Sequence, residues 1–292
     1  MGDFVALIFG SLRYGSYIAL AALGIVLIFK TSRTTNFAQA SIGTLGAYVA
    51  AWLITTFDVF SNIWLSSLTA LIFAFLFGIV IDLLVMRRAG RVSPLSKQII
   101  TLGFILLIWG MIPIIFGTSG YSIHQAYFTG STMILGTSVE YQTLFFVGLS
   151  IVLMLTILLF IQKTRWGLAT RVTASDRVTA KLMGVPTERV TMFSWAVAAV
   201  LGTVAGLMVA QSAVRMDMLV IVQVSAFFAC IFGGFNTFHG PVIAAFIIAF
   251  SRELAYTYFS DTWHDTLIWT VILFVLYFKP EGLFGKKEVR KV

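Results

Sequence analysis

The sequence predicts an all-α integral membrane protein with about eight to nine transmembrane segments, interrupted at places that allow some to be discontinuous. Three observations carry this. Hydrophobic residues make up 59% of the 292, charged residues only 11%, and the mean hydropathy is +0.96, where soluble domains run near half apolar and a quarter charged. Uncharged runs recur that reach about 20 residues, the length a helix needs to cross roughly 30 Å of hydrocarbon. These runs are continuous and rich in Leu, Ile, Phe and Ala, without the dyad alternation of barrel strands.

Taken in order, the first segment is 4–29, which spans if Arg13 snorkels. The residues before it lack a basic stretch and no small-residue cleavage site follows, so it reads as a retained helix. Segments 34–57, 59–81, 98–117, 141–162, 191–214 and 218–238 are each long enough to span, 241–259 follows, and a short 266–278 completes the set. Residues near Asn36 and Phe238 mark places where a segment can break. Residues 1–292 form one transmembrane domain. Its two longest polar stretches, 118–142 and 163–190, are too small to bury cores of their own and read as docking surfaces.

Charge orients the chain. With nine crossings and the N-terminus outside, Lys30, Arg33, Arg87, Arg88, Arg91, Lys97, Lys163, Arg165, Arg171, Arg177, Lys181, Arg189, Lys279, Lys286, Lys287, Arg290 and Lys291 are cytoplasmic, 17 of 20 basic residues. The C-terminus is then cytoplasmic, and Asp3, Asp58, Glu140, Asp217, Asp261 and Asp265 lie outside. The net charge of +8 is accounted for by loops facing anionic headgroups, so nucleic acid is not among the expected partners. The single cysteine, Cys230, lies in an apolar run and reads as a small core hydrophobe.

The 163–190 loop contains TASDRVTAKLMGVP, which has the start and stop signals of a short helix over 176–183. Ser175 can cap it, Asp176 suits the positive end of the dipole, Gly184 supplies a left-handed residue past the end, and Pro186 prevents continuation. Val178, Leu182 and Val185 share one face, and Arg177 and Lys181 form a cationic ridge beside it. So short a helix is marginal in water and needs a surface to lean on. By spacing alone that surface is the headgroup layer or the inner ends of this chain's own helices.

The stretch GLATRVTASDRVTAKLMGVPTERVTMFSWAVAAVLGTVAGLM resembles the permease subunits of ABC importers for branched-chain amino acids. So, in the same order, do SYIALAALGIVLIFKTSRTTNFAQASIGTLGAYVA, MRRAGRVSPLSKQIITLGF, FGTSGYSIHQAYF, FACIFGGFNTFHGPVIAAFIIAF and YFKPEGLFGKK, so that nearly the whole chain is covered. The resemblance implies that the short helix is a coupling helix seated in a cytoplasmic ATPase. The matching positions are Gly167, Leu168, Arg171, Asp176, Ala180, Met183 and Gly184, with Arg177, Val178, Lys181 and Leu182 as supporting contacts.

Two regions interrupt the hydrophobic pattern. TSRTTNFAQASIGTLGAY holds Asn36, Phe37, Gln39, Ser41, Gly43 and Gly46, and FGGFNTFHGP holds Gly233, Gly234, Asn236, His239 and Pro241. Broken helices whose freed backbone faces a cavity are the best sequence pointer to a transport path, so Asn36, Phe37, Gln39, Ser41, Gly43, Gly233, Gly234 and Asn236 are candidates for it. Close helix packing is the favoured reading for Gly43 and Gly46, and it competes evenly with a functional one for Asn36 and Gln39. Arg252 and Glu253 diverge by about 100° on a helix and are not expected to pair with each other. Glu253 is expected to face another helix or a cavity, and Asp82 to lie near Arg87 and Arg88.

No phosphate-cradling G-x-x-x-x-G-K-[ST] motif and no clustered metal ligands or nucleophile are present, so this subunit is expected to be non-catalytic and to hold no cofactor. ATP and Mg are expected in separate ATPase subunits. The resemblance further implies a second permease subunit, an extracytoplasmic substrate-binding protein and residence in a bacterial inner membrane. The same machinery carrying urea or short amides, and a stand-alone secondary transporter or channel, are the alternative readings.

Overall fold

The computed structural model describes residues 2–285 other than Ser119, Ser122, His124, Gln125, Ser212, Ser260, Asp261 and Pro280. Asp261, four residues of the 118–142 loop, and the basic residues Lys286, Lys287, Arg290 and Lys291 therefore lie outside the described residues. The described elements are α1 (Gly2–Ser32), α2 (Gln39–Thr56), α3 (Ile63–Ile81), α4 (Pro94–Phe116), a hairpin of β1 (Ser131–Ile134) and β2 (Thr137–Glu140), α5 (Tyr141–Lys163), α6 (Arg165–Ser175), α7 (Arg177–Leu182), α8 (Thr187–Val209), α9 (Val220–Gly233), α10 (His239–Tyr258) and α11 (His264–Phe278).

Nine of these helices run back and forth between two ends. The hairpin end also carries the start of α1, where Thr137 Oγ1 donates to the Gly2 carbonyl at 2.7 Å. The opposite end carries α6 and α7. Five helices among those described are long and apolar enough to cross a membrane. Helix α9 has only 14 residues, about 21 Å of rise against a 30 Å hydrocarbon core. The 218–238 segment is thus shorter as a helix than its apolar run, because Gly234 turns away with φ +88°.

At the centre, α1 packs on α8 and α10, and its run from Ile18 to Leu23 is buried on all sides, as are Trp195 and Leu201 of α8. The peripheral helices present large apolar side chains outward, among them Leu106 at 74% and Ile114 at 84% exposure on α4. In water such a surface would be costly, so hydrocarbon is the solvent these helices are built for. Several buried hydroxyls on the spans are satisfied within their own helix, as where Ser16 donates to Leu12 and Ser150 to Phe146.

Capping sets the boundaries that periodicity alone misplaces. Helix α3 starts at Ile63 because Asn62 accepts from the Trp64 amide, and α4 starts four residues earlier than its uncharged run because Ser93 caps and Pro94 opens it. Where a loop was expected at 165–175, helix α6 forms, capped by Thr164. The hairpin is a further departure from an all-helical chain. Its two-residue turn places Leu135 and Gly136 at φ +48° and +87°, a left-handed pair for which Leu is an unusual choice.

Candidate functional site

The loop that joins α5 to α8 is built from capping interactions. Thr164 Oγ1 donates to the Phe160 carbonyl at 2.7 Å and accepts from the Gly167 amide at 3.0 Å. Gly167 lies against the Phe160 and Ile161 carbonyls, where a Cβ would collide with backbone, so the tight passage from α5 into α6 needs glycine. Asp176 then leaves helical geometry and caps α7. Its Oδ1 accepts from the Val178 amide at 2.8 Å and the Thr179 amide at 3.3 Å, and its Oδ2 accepts from the Thr179 hydroxyl at 2.6 Å. The cap is therefore Asp176 rather than Ser175, which ends α6; a carboxylate can take all three donors at once. Those donors, the Thr179 hydroxyl foremost, hold the Asp176 carboxyl below the usual carboxylate range.

At the other end of α7 the Gly184 amide donates to Lys181 and the Val185 amide to Ala180, with Gly184 at φ +80°. That is a Schellman close. Ala180 is the buried foot of the helix, while Val178, Leu182 and Met183 stand 71%, 83% and 73% exposed. Val178 and Leu182 of the apolar face that was expected to lean on something thus stand clear of the other described residues, while Val185 is half-buried. Lys181 lies 3.8 Å from Glu188, an exposed pair of small energetic weight. Arg177 and Lys181 also line a cavity of about 480 Å3 together with Asp82, Arg87, Lys97 and Glu188. Asp82 pairs with Arg87 at 3.4 Å, as expected.

The α1–α2 break is held by a polar lattice. Asn36 Oδ1 accepts from the Ala38 amide at 3.0 Å and its Nδ2 donates to Gln39 Oε1 at 3.1 Å. Gln39 Nε2 donates to the Ala198 carbonyl of α8 at 2.7 Å. The Phe37 amide donates to Thr101 of α4 at 3.2 Å, and the Ala40 amide to Gln223 of α9 at 2.6 Å. The free amides at the start of α2 thus find partners on α4 and α9 and in Asn36, while the Gln39 side chain ties α2 to α8. Asn36, Gln39 and Ser41 are buried. Gly43 lies where α2 crosses α8: a Cβ there would meet Gly202, and one on Gly206 would meet the Gly43 carbonyl at 2.5 Å.

The α9–α10 break lies at the α7 end. Gly233 abuts Gly240 and Pro241, and Gly234 turns the chain with a φ that favours glycine. The Leu283 amide donates to the Phe232 carbonyl at 2.6 Å, and Lys30 Nζ donates to the Asn236 carbonyl at 2.7 Å. His239 is exposed beside the Phe284 ring. The two breaks meet through Phe29 and Phe235, whose rings are 4.6 Å apart, and a cavity of about 540 Å3 opens beside them. Arg171 and Asn236 both line it, so a coupling candidate and a path candidate share one space; Asn36, Gln39 and Gly43 lie apart from it.

Two residues change the sequence reading. Arg252 Nη1 does reach Glu253 Oε1, at 3.5 Å, because its side chain is long enough to turn back across the 100° step. Its stronger bond is Nε to Asp265 at 2.7 Å, and its guanidinium lies 4.3 Å from the Tyr14 ring centre, so it ties α10 to α11 and α1. Glu253 faces α1 at Gly10. Gln223, which the sequence reading passed over, is the lone amide in VIVQVSAFFACIF and could have been found by that.

The family model for the permease component of branched-chain amino acid transport systems matches residues 7–276. The high-affinity branched-chain amino acid transport system permease protein LivH of Salmonella typhimurium is 24% identical over 301 residues, covering 99% of this chain and 98% of the relative. The corresponding protein BraD of Pseudomonas aeruginosa is 22% identical over 293 residues, 96% and 95% of the two chains. A probable LivH of Methanocaldococcus jannaschii is 28% identical over 303 residues, 94% and 91% of the two. No solved structure matches. With apolar helices able to span a bilayer and a family match over nearly its full length, the chain belongs to the branched-chain amino acid transport permeases and is a multi-pass membrane permease subunit of an ABC importer.

Proposed function

We propose that the chain is one permease subunit of an ATP-driven, binding-protein-dependent importer for branched-chain amino acids, working by alternating access driven through α7. The observation that carries this is α7 itself: a helix closed at both ends, with Val178, Leu182 and Met183 exposed together and no described residue covering them. Apolar side chains presented on a rigid helix fit a groove in a partner protein. The α7 end is cytoplasmic, since it gathers Lys30, Arg33, Arg87, Arg88, Lys97 and the basic residues of the 163–190 loop, while Arg13, Arg215 and Arg252 lie toward the hairpin end.

Force applied to α7 passes into α8 directly and into α5 through α6. It also reaches the α1–α2 break, because Arg33 Nη2 donates to the Ala174 carbonyl at the end of α6, 2.9 Å away. Rigid motion of these helices would open and close the cavity beside the two breaks. A second permease subunit, cytoplasmic ATPases holding ATP and Mg, and a binding protein docking at the hairpin end complete the machine. The cargo follows from what the named relatives transport.

The test is purification with the partners. An ATPase should co-purify, and Asp176 and Met183 substitutions should lower transport-coupled hydrolysis. Full transport by the lone chain in liposomes would overturn the reading. A partner binding protein that retains urea but not leucine, isoleucine or valine would keep the machine and change its cargo.

A further inference from the structure

At the hairpin end a cavity of about 780 Å3 opens between α1, the β-hairpin, the start of α5 and the end of α8. Its volume falls in the range of small-molecule sites, roughly 300–1,000 Å3. Arg13 of α1 and Glu140 at the start of α5 both line it. Both side chains are exposed, and neither forms an ion pair with any described residue. Glu140 stands at the N-cap position of α5 without its carboxylate capping the helix.

These opposite charges share a cavity without an ion pair between them, whereas three other arginines each hold a carboxylate. Arg252 holds Asp265 at 2.7 Å, Arg215 holds Asp217 at 3.1 Å and Arg87 holds Asp82 at 3.4 Å. The buried apolar side chains Phe146 and Met208 line the same cavity. Its wall is fixed by Gln142 Nε2 donating to Gln211 Oε1 at 2.9 Å, which clasps α5 to α8.

A guanidinium fork binds a carboxylate bidentately, a carboxylate holds an ammonium, and apolar lining in the same cavity suits an aliphatic side chain. We propose that this cavity receives the zwitterionic amino acid on the extracytoplasmic side, with Arg13 taking the carboxylate, Glu140 the ammonium and Phe146 with Met208 the side chain. A neutral amide would leave both charges unanswered, and a simple cation or anion would meet one charge of its own sign. The assignment rests on the import reading above and adds the residues that recognise the cargo.

Equilibrium dialysis on the assembled membrane complex in lipid nanodiscs, without its soluble binding protein, tests this with leucine, leucinamide and 4-methylpentanoate. Leucine should bind about tenfold more tightly than either analogue, the weight of one charge-assisted contact. Arg13→Met should erase the preference over leucinamide alone, Glu140→Gln the preference over 4-methylpentanoate alone, and Arg13→Lys should restore most of the first. Because both side chains are exposed and form no ion pair with the described residues, the variants should fold, and unchanged melting of the complex checks that. Vesicle uptake by the complete importer separates the two levels of failure. Leucine uptake by the wild type with unaltered analogue preferences in the variants overturns the cavity assignment alone, and no leucine uptake by the wild type overturns the import reading and this assignment with it.

Discussion

Gly43→Ala distinguishes packing from passage at the α2–α8 crossing. A Cβ at this position would lie 2.7 Å from the Gly202 carbonyl carbon and 3.0 Å from Leu219 Cδ1, whereas ordinary contact begins near 3.4 Å. The nearest obstacle is the Gly202 carbonyl oxygen, backbone on α8 that cannot swing aside, so α2 must retreat by about 1 Å against a close-packed interior. Overpacking of this kind costs about 1–3 kcal/mol, from which the helix preference of Ala over Gly returns about 0.5–1 kcal/mol. Gly103→Ala on α4 is the control, because nothing lies within 4 Å of its Cβ position and only the helix gain applies. The two single-methyl variants should differ by about 2 kcal/mol in opposite directions. Thermal unfolding of the purified complex, followed with transport in the same preparations, reads this. Equal melting of the two variants, or normal melting of Gly43→Ala with lost transport, would refute the packing argument and return Gly43 to the substrate path.

Other outcomes follow from the same geometry. Leu182→Asp with Met183→Ser should abolish ATPase co-purification without moving the melting point, since both side chains are exposed; a parallel fall in melting would mean they pack within the chain. Gly184→Ala should loosen the end of α7 by about 1 kcal/mol because its φ is +80°, and hydrogen exchange at residues 180–185 should rise accordingly. Asp176 has its carboxyl held below the usual range in the folded loop, so its contribution to α7 is present above the unfolded value near 4 and is lost as pH falls through the lower folded value. Exchange of the Val178 and Thr179 amides should therefore be protected at pH 5 and accelerate, beyond its intrinsic pH dependence, only below about pH 4; the same excess already present at pH 5 would count against the cap. Gln223→Leu strips the Ala40 amide of its partner and should destabilise by about 1–3 kcal/mol, read by the same melting assay.

Much of the architecture is legible in the residues. Long uncharged runs fix where helices lie because lipid admits almost nothing else, and Asp176, Gly184 and Pro186 announce a short closed helix. Local patterns cannot reveal what depends on distant partners. Helix α6 is hidden because its Thr and Arg residues read as loop until Thr164 caps it and Gly167 lets it fold back on α5. The hairpin is hidden because Leu135 is an improbable residue for its turn. Arg13 reads from sequence as a charge to be tolerated in a span, and only the fold brings it to the same cavity as Glu140.

The turn between α9 and α10 depends on chain that comes much later. The Phe232 carbonyl is met by Leu283, a Cβ on Gly282 would lie 2.5 Å from the Ile231 carbonyl, and Gly234 fits against Gly285. During synthesis the turn must therefore wait, with its glycines unsupported, until the segment after α11 arrives to brace it. That segment acts as the fastening of the α7 end: a proteolytic cut or a bulky tag placed just after α11 would leave the helices formed and the junction of α1, α9 and α10 unlatched.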